Sequence, residues 1–182
     1  MNIANKLTSF RVLLIPVFLF FYYYPILSGD ARILAAAVFV LASFTDLIDG
    51  AVARRYKLIT RFGMFLDPLA DKLLVCAALV VMCANGPIHP LVSVAIVSRE
   101  FIVTGIRLVA AEQGAVIAAD IFGKYKTAFQ MVTIIYYLFG LQVHGPYFDG
   151  AGRALVIVTL ILTVFSAFNY IYKNKSIFKG GI

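Results

Sequence analysis

Four aspartates within 26 residues are the side chains of this sequence best suited to chemistry. Asp46 and Asp49 are three positions apart, and Asp67 and Asp71 are four positions apart. At these spacings the two members of each pair share one face of a helix. The surrounding sequence is apolar, and a carboxylate in a membrane segment is unfavourable unless another group compensates it. The pattern therefore predicts a functional site built from two facing helices.

The chemistry predicted for these acids is metal-assisted attack at phosphorus. Four converging carboxylates would repel one another, and some would have to stay protonated. Hard divalent cations with oxygen ligands remove that repulsion, and Mg²⁺ usually keeps waters or substrate phosphates as further ligands. Two such ions held by carboxylates are a recurring arrangement for displacement at phosphorus. We therefore expect a divalent-metal site.

Small residues and one arginine accompany the acids. Gly50 would let a substrate approach the helix backbone closely, and Arg54 could place its guanidinium against a phosphate oxygen. Ala53 and Gly63, taken singly, are better explained by close helix packing. In combination with four acids and an arginine, they favour a phosphate-binding site.

Membrane helices are the elements that must position these residues. The chain of 182 residues is 62% hydrophobic and 14% charged, whereas a soluble domain carries about 25% charged residues. A spanning helix needs roughly 17 to 25 apolar residues, and a turn signal at 85–87 divides the longest apolar run. The predicted spans are about 9–26, 31–53, 62–84, 89–110, 125–144 and 151–172.

The distribution of Lys and Arg predicts the orientation of these spans. With both termini in the cytoplasm, only Arg32 and Arg153 lie outside. The twelve residues on the cytoplasmic side are Lys6, Arg11, Arg54, Arg55, Lys57, Arg61, Arg107, Lys124, Lys126, Lys173, Lys175 and Lys179. Most of the +7 net charge therefore reflects topology, and nucleic acid is not an expected partner, since no basic face with stacking aromatics lies outside the spans.

The predicted fold class is an all-α integral membrane protein with six transmembrane helices. A short interfacial segment over residues 2–8 precedes the first span, both termini are cytoplasmic, and residues 1–182 form a single domain. In this topology the two acidic pairs lie at the cytoplasmic ends of the second and third spans. The short loop between those spans makes them antiparallel neighbours.

The acidic run resembles a family signature. Asp46-x2-Asp49-Gly50-x2-Ala53-Arg54-x8-Gly63-x3-Asp67-x3-Asp71 is similar to the complete signature of the CDP-alcohol phosphotransferases. The resemblance implies transfer of a substituted phosphate from a CDP-linked donor to an alcohol, with release of CMP. It implies a homodimer and two Mg²⁺ or Mn²⁺ ions held by the four aspartates, with Asp71 as general base. The residues it assigns to the CDP donor are Asn5, Thr8, Gly50, Ala53, Arg54 and Thr60.

A basic cluster predicts the class of acceptor. Arg107 would end the fourth span on the cytoplasmic side, and Lys124 and Lys126 would open the fifth. These three residues could bind the phosphate of an anionic acceptor, although the same charges could be ordinary positive-inside residues. Arg99 and Glu100 could pair with each other or with a neighbouring helix, as intramembrane charges usually do.

Further motifs resemble the phosphatidylglycerophosphate synthase branch of bacteria. They are Asn5, Thr8 and Arg11; Ser98, Arg99, Glu100 and Arg107; and Gly123, Lys124, Lys126 and Thr127. This resemblance implies CDP-diacylglycerol as donor, sn-glycerol 3-phosphate as acceptor and the bacterial cytoplasmic membrane as location. Inositol phosphate or serine with the same chemistry remain alternative acceptors. A divalent-cation transporter would explain the acids, but not the adjacent arginine or the basic cluster.

Overall fold

The described part of the chain is entirely helical. A computed structural model describes residues 3–24, 31–56, 61–84, 86–112, 120–140 and 145–175. These residues form six α-helices and no strand, so the all-helical prediction is confirmed. The helices are α1 (Ile3–Tyr23), α2 (Ala31–Tyr56), α3 (Arg61–Ala84), α4 (Pro90–Glu112), α5 (Ile121–Phe139) and α6 (Pro146–Lys173).

The helix ends depart from the predicted spans by four residues or more in α1, α5 and α6. Residues 3–8, predicted as a separate interfacial segment, are the first turns of a continuous α1. α5 ends at Phe139 instead of 144, and α6 begins at Pro146 instead of 151. Proline favours the first helical position because its φ is already helical and its missing N–H has no intrahelical role there. The turn before α4 lies where the sequence placed it, and Gly86 adopts a φ of 91° there, which glycine tolerates without a steric penalty.

One described helix, α6, is long and apolar enough to cross a membrane by itself. The apolar stretches of α1, α2 and α3 are shorter and cover Ser9–Tyr23, Ile33–Thr45 and Lys72–Ala84. In α2 and α3 the remaining turns carry the charged residues of the acidic run. The prediction of six membrane spans therefore remains a prediction.

The chain divides into two compact units, and the first contains α1, α2 and most of α3. It comprises Met1–Val81 with Tyr137–Val143. α1 packs on α2 through aromatic rings, and the ring centroid of Phe18 lies 5.9 Å from that of Phe39. Both rings are fully buried. Ala35 and Ala42 of α2 are also fully buried, and small residues of this kind let two helix backbones approach closely.

The second unit contains α4, most of α5 and α6. It comprises Met82–Tyr136 with His144–Ile182. α5 and α6 run antiparallel: the Phe122 ring lies 4.8 Å from Phe165, and Thr133 Oγ1 lies 2.9 Å from Thr159 Oγ1. The Thr133 hydroxyl also donates to the Phe129 carbonyl at 2.8 Å, so this buried polar group is hydrogen-bonded, as buried polar groups generally are.

α5 and α6 also contact each other near the end of α5 and the start of α6. The rings of Tyr136 and Phe148 stack with centroids 4.4 Å apart, and the Tyr136 hydroxyl donates to the Phe148 carbonyl at 2.9 Å. α4 lies beside α6 and runs parallel to it, since Arg107 near the end of α4 contacts Tyr170 near the end of α6. The ends of α4 and α6 and the start of α5 therefore meet at the same end of this unit.

Candidate functional site

The four aspartates lie on two consecutive helices, and the two pairs lie at similar distances (matched levels) from the connection between α2 and α3. Only four residues separate the end of α2 from the start of α3, and a connection this short joins antiparallel neighbours. Asp49 is seven residues before the end of α2, and Asp67 is six residues after the start of α3. Asp46 and Asp71 are each ten residues from the same ends. At a rise of about 1.5 Å per residue, these levels lie about 10 Å and 15 Å from the helix ends.

Several predicted site residues fall outside the described part of the structure. Thr60 lies outside the described residues altogether. Others lie on described helices, but their side chains are not among those described; they are Asn5, Thr8, Asp46, Asp49, Gly50, Ala53, Arg54, Gly63, Asp67 and Asp71. Among the described side chains, no three acidic, histidine or cysteine residues form a cluster that could hold a metal ion. The assignment of these residues to metal and donor therefore remains a prediction.

The four aspartates are ligands of the type that suits a hard divalent cation. All four groups are carboxylates, which supply the oxygen ligands that Mg²⁺ and Mn²⁺ prefer over nitrogen or sulfur. Each helix contributes two of them, one turn apart. Such a set favours oxygen-rich coordination that leaves room for substrate phosphates.

The Ser-Arg-Glu and Gly-Lys-x-Lys motifs meet between α4 and α5. Lys126 is fully buried, and its Nζ donates to Oε1 of Glu100, which is 5% exposed. Nη1 of Arg99 lies 3.6 Å from the other carboxylate oxygen of Glu100. A Cβ at Gly123 would lie 3.3 Å from Arg99 Nη2, so the glycine lets α5 come close to this guanidinium. The Glu100 carboxylate therefore pairs with two buried cations, Lys126 and Arg99.

The other two residues of the predicted acceptor cluster are exposed. Arg107 donates from Nε to the Tyr170 hydroxyl at 3.3 Å, and its Cζ lies 5.5 Å from the centroid of the same ring. Lys124 is exposed, and its backbone N–H donates to the Asp120 carbonyl at 3.2 Å. Arg107 and Lys124 can present charge to an anion, whereas the charge of Lys126 is balanced by Glu100.

Asp120 joins the start of α5 to the end of α6. Its carboxylate accepts from Asn169 Nδ2 at 2.6 Å and from Lys173 Nζ at 2.9 Å. The bond from Lys173 is the main cause that lowers the pKa of Asp120, and it outweighs the opposing effect of burial. The carboxylate therefore stays ionised at neutral pH.

Sequence reasoning missed this cluster around the end of α6. An aspartate directly before a helix is an N-terminal signal, and it could have indicated that Asp120 begins α5. Its partners lie about fifty positions further along the chain, so no spacing rule reveals them. Tyr170 likewise gave no signal, because it is one of ten tyrosines and lies within the last predicted span.

Comparison with known proteins identifies the family. The family model for CDP-alcohol phosphatidyltransferase matches residues 1–165. A Bacillus subtilis (strain 168) protein named CDP-diacylglycerol–glycerol-3-phosphate 3-phosphatidyltransferase is 41% identical over 184 residues, covering 95% of each chain. Proteins of the same name from Rickettsia typhi (34% identical; 97% of this chain and 99% of the relative) and Sodalis glossinidius (38%; 96% of each) are also similar. The chain belongs to the CDP-alcohol phosphatidyltransferase family.

Proposed function

We propose that this enzyme transfers the phosphatidyl group of CDP-diacylglycerol to sn-glycerol 3-phosphate, giving phosphatidylglycerol phosphate and CMP. The observation that carries the proposal is the similarity to relatives named for this reaction, which extends over 95% to 97% of the chain. The similarity extends over the stretches that contain α4 and α5, and not only over the acidic run common to the family.

The four aspartates would hold two divalent cations, Mg²⁺ or Mn²⁺. Asp46 and Asp49 on α2 and Asp67 and Asp71 on α3 supply the carboxylate oxygens. When bound, the cations would neutralise the charge of the donor pyrophosphate and of the departing CMP. The matched levels of the two pairs, each within about three turns of the connection between α2 and α3, support a shared site.

Asp71 would act as the general base. Its carboxylate takes the proton of the acceptor hydroxyl, and that oxygen forms a bond to the phosphorus bearing the diacylglycerol. The bond from this phosphorus to the CMP oxygen breaks, and CMP leaves with the electron pair. A base in this role must come within hydrogen-bond reach of the hydroxyl, so its position on the same helix face as Asp67 suits it.

The CDP donor would be held by the residues around the acidic run and at the start of α1. Gly50 gives close access to the backbone of α2, and Arg54 offers a planar guanidinium for a phosphate. The complete set is Asn5, Thr8, Gly50, Ala53, Arg54 and Thr60.

The acceptor phosphate would be bound by Arg107, Lys124 and Lys126. Exposure of Arg107 and Lys124 supports direct contact with an anion. Lys126 would contribute while bonded to Glu100, which keeps this buried cation in a fixed place. Neutral acceptors such as serine would leave the exposed cations without an anionic partner.

The membrane arrangement is part of the same proposal. The chain would be one domain over residues 1–182 with six transmembrane helices, both termini cytoplasmic, and would work as a homodimer in the bacterial cytoplasmic membrane. With helices alternating in direction, the basic ends of α2, α4 and α6 and the basic starts of α3 and α5 fall on one side, which agrees with positive-inside topology. The bilayer would supply CDP-diacylglycerol directly to the site.

The testing experiment measures CMP release by the purified protein with CDP-diacylglycerol and Mg²⁺. Glycerol 3-phosphate, glycerol, inositol 1-phosphate and serine are compared as acceptors. We expect turnover only with glycerol 3-phosphate. Turnover with another acceptor would retain the family chemistry and overturn the acceptor. If the protein binds a divalent cation but releases no CMP with any of the four acceptors, cation transport would be favoured instead.

A further inference from the structure

The last turns of α6 contact both neighbouring helices of the second unit. Tyr170 contacts Arg107 on α4, and Asn169 and Lys173 bind Asp120 at the start of α5. These three residues of α6 lie beyond residues 1–165, the part matched by the family model. They are therefore candidates for a role that the family signature does not include.

Tyr170 fixes one end of the Arg107 guanidinium. The tyrosine is 1% exposed, so its ring is held by packing and its hydroxyl is a fixed acceptor. Arg107 uses Nε for this hydroxyl at 3.3 Å, with its Cζ 5.5 Å from the ring centroid. A cation near an aromatic ring at this distance is attracted by the ring quadrupole. Both contacts act on the same guanidinium and reduce its rotational freedom.

The opposite edge of the guanidinium is available for a ligand. Arginine carries five N–H donors, and the bond to Tyr170 uses the one on Nε. Within the described part of the chain, the two Nη groups have no hydrogen-bond partner, and Arg107 is exposed. Two parallel Nη–H bonds match two oxygens of a phosphate. Tyr170 therefore holds the guanidinium through Nε, and the two Nη groups remain for a ligand.

We propose that Tyr170 is a positioning residue for the acceptor: it orients Arg107 so that the guanidinium meets the phosphate of glycerol 3-phosphate. This inference rests on the proposed function. Asn169 and Lys173 act in the same way on the start of α5, since they hold Asp120, whose carbonyl accepts from the backbone of Lys124. One stretch of α6 thereby sets the places of both exposed cations of the acceptor cluster.

The test compares Tyr170→Phe with three other variants in steady-state kinetics. Tyr170→Phe keeps the ring and removes only the hydroxyl. Tyr172→Phe is the matched control, since Tyr172 is 71% exposed and two positions away. Arg107→Ala and the double variant Tyr170→Phe/Arg107→Ala complete a double-mutant cycle. For each variant, KM for glycerol 3-phosphate, KM for CDP-diacylglycerol, kcat and the thermal unfolding midpoint are measured.

We expect Tyr170→Phe to raise KM for glycerol 3-phosphate about three- to tenfold, the range expected for one lost hydrogen bond. KM for CDP-diacylglycerol should stay unchanged, and so should all parameters of Tyr172→Phe. In the Arg107→Ala background, Tyr170→Phe should have no further effect, because Tyr170 acts through that arginine.

Two outcomes would overturn the inference. A KM for glycerol 3-phosphate in Tyr170→Phe equal to that of the wild type would remove Tyr170 from acceptor binding. An equal rise in the presence and absence of Arg107 would show that Tyr170 does not act through it. The proposed function fails separately: it fails if the wild-type protein shows no turnover with glycerol 3-phosphate, and its acceptor site fails if Arg107→Ala leaves the KM for this acceptor unchanged.

Discussion

Removing the charge of Glu100 should destabilise the protein strongly, whereas removing both charges of its pair with Lys126 should destabilise it less. Lys126 is fully buried and Glu100 is 5% exposed. Glu100→Gln keeps the shape of the side chain but leaves the ammonium group of Lys126 without its counter-charge. Deleting one partner of a buried ion pair costs roughly 3–5 kcal/mol of stability. Lys126→Met should cost less, because the carboxylate that it leaves behind still lies 3.6 Å from Arg99 Nη1.

The size of the effect makes it measurable by thermal unfolding. For a chain of this length, each kcal/mol shifts the midpoint by about 2–4 °C, so Glu100→Gln should unfold roughly 6–20 °C below the wild type. The chain has no tryptophan, but Cys76 and Cys83 of α3 are half-buried. A thiol-reactive fluorogenic dye can therefore report unfolding of the detergent-solubilised protein.

The double variant and an exposed control make the test specific. Replacement of a buried pair by uncharged side chains of similar volume is often neutral or stabilising, but Arg99 also lies against Glu100 and stays charged in Glu100→Gln/Lys126→Met. The double variant should therefore regain part of the unfolding midpoint that Glu100→Gln loses, and not all of it. Lys124→Met, two positions away and exposed, should change stability by no more than about 0.5 kcal/mol. The reasoning is refuted if Glu100→Gln has the same unfolding midpoint as the wild type, or if the loss in the double variant equals the sum of the two single losses.

Three further predictions concern the proposed reaction and the end of α6. Asp71→Asn should abolish CMP release with the unfolding midpoint preserved, whereas Asp149→Asn at the start of α6 should leave turnover intact; near-normal rates in Asp71→Asn would exclude the proposed base. Lys124→Ala should raise KM for glycerol 3-phosphate more than KM for CDP-diacylglycerol, and equal rises in the two kinetic constants would argue against an acceptor role. Asp120→Asn should lower the unfolding midpoint at neutral pH. The lowered pKa of Asp120 means that its bond to Lys173 stabilises the fold fully above the ordinary value of 3.8, and this contribution is lost as pH falls through the lowered value. The difference between Asp120→Asn and the wild type should therefore shrink in acid, and a difference independent of pH would contradict an ionic origin.

Helix number and most helix ends could be predicted because they depend on local properties of the sequence. Apolar runs and the turn signal near Gly86 located α2, α3 and α4 to within three residues. The errors arose where hydropathy alone set the boundary. A helix continues as long as its backbone bonds are satisfied, so α1 extends through polar residues at its start. α6 begins at Pro146, in a stretch that lies between the fifth and sixth predicted spans.

The partners within the candidate site could be predicted only in part. The sequence left Glu100 two possible partners, its neighbour Arg99 or a residue on another helix. The structure gives both, with Lys126 as the closer one. The contact between Tyr170 and Arg107 depends on the rotation and axial offset of α6 against α4. These quantities come from packing along the whole length of two helices, and no local pattern contains them.

The apolar character of α6 has a consequence for biogenesis. Within the described part of the chain, it is the helix that could partition into a bilayer by itself. It also supplies partners to Thr133, Asp120 and Arg107 on the two helices made before it. During synthesis, those polar groups therefore lack these partners until α6, a segment that inserts readily, has been made. A chain truncated before the end of α6 would leave Asp120 and Arg107 without these contacts, so we expect it to assemble its second unit poorly.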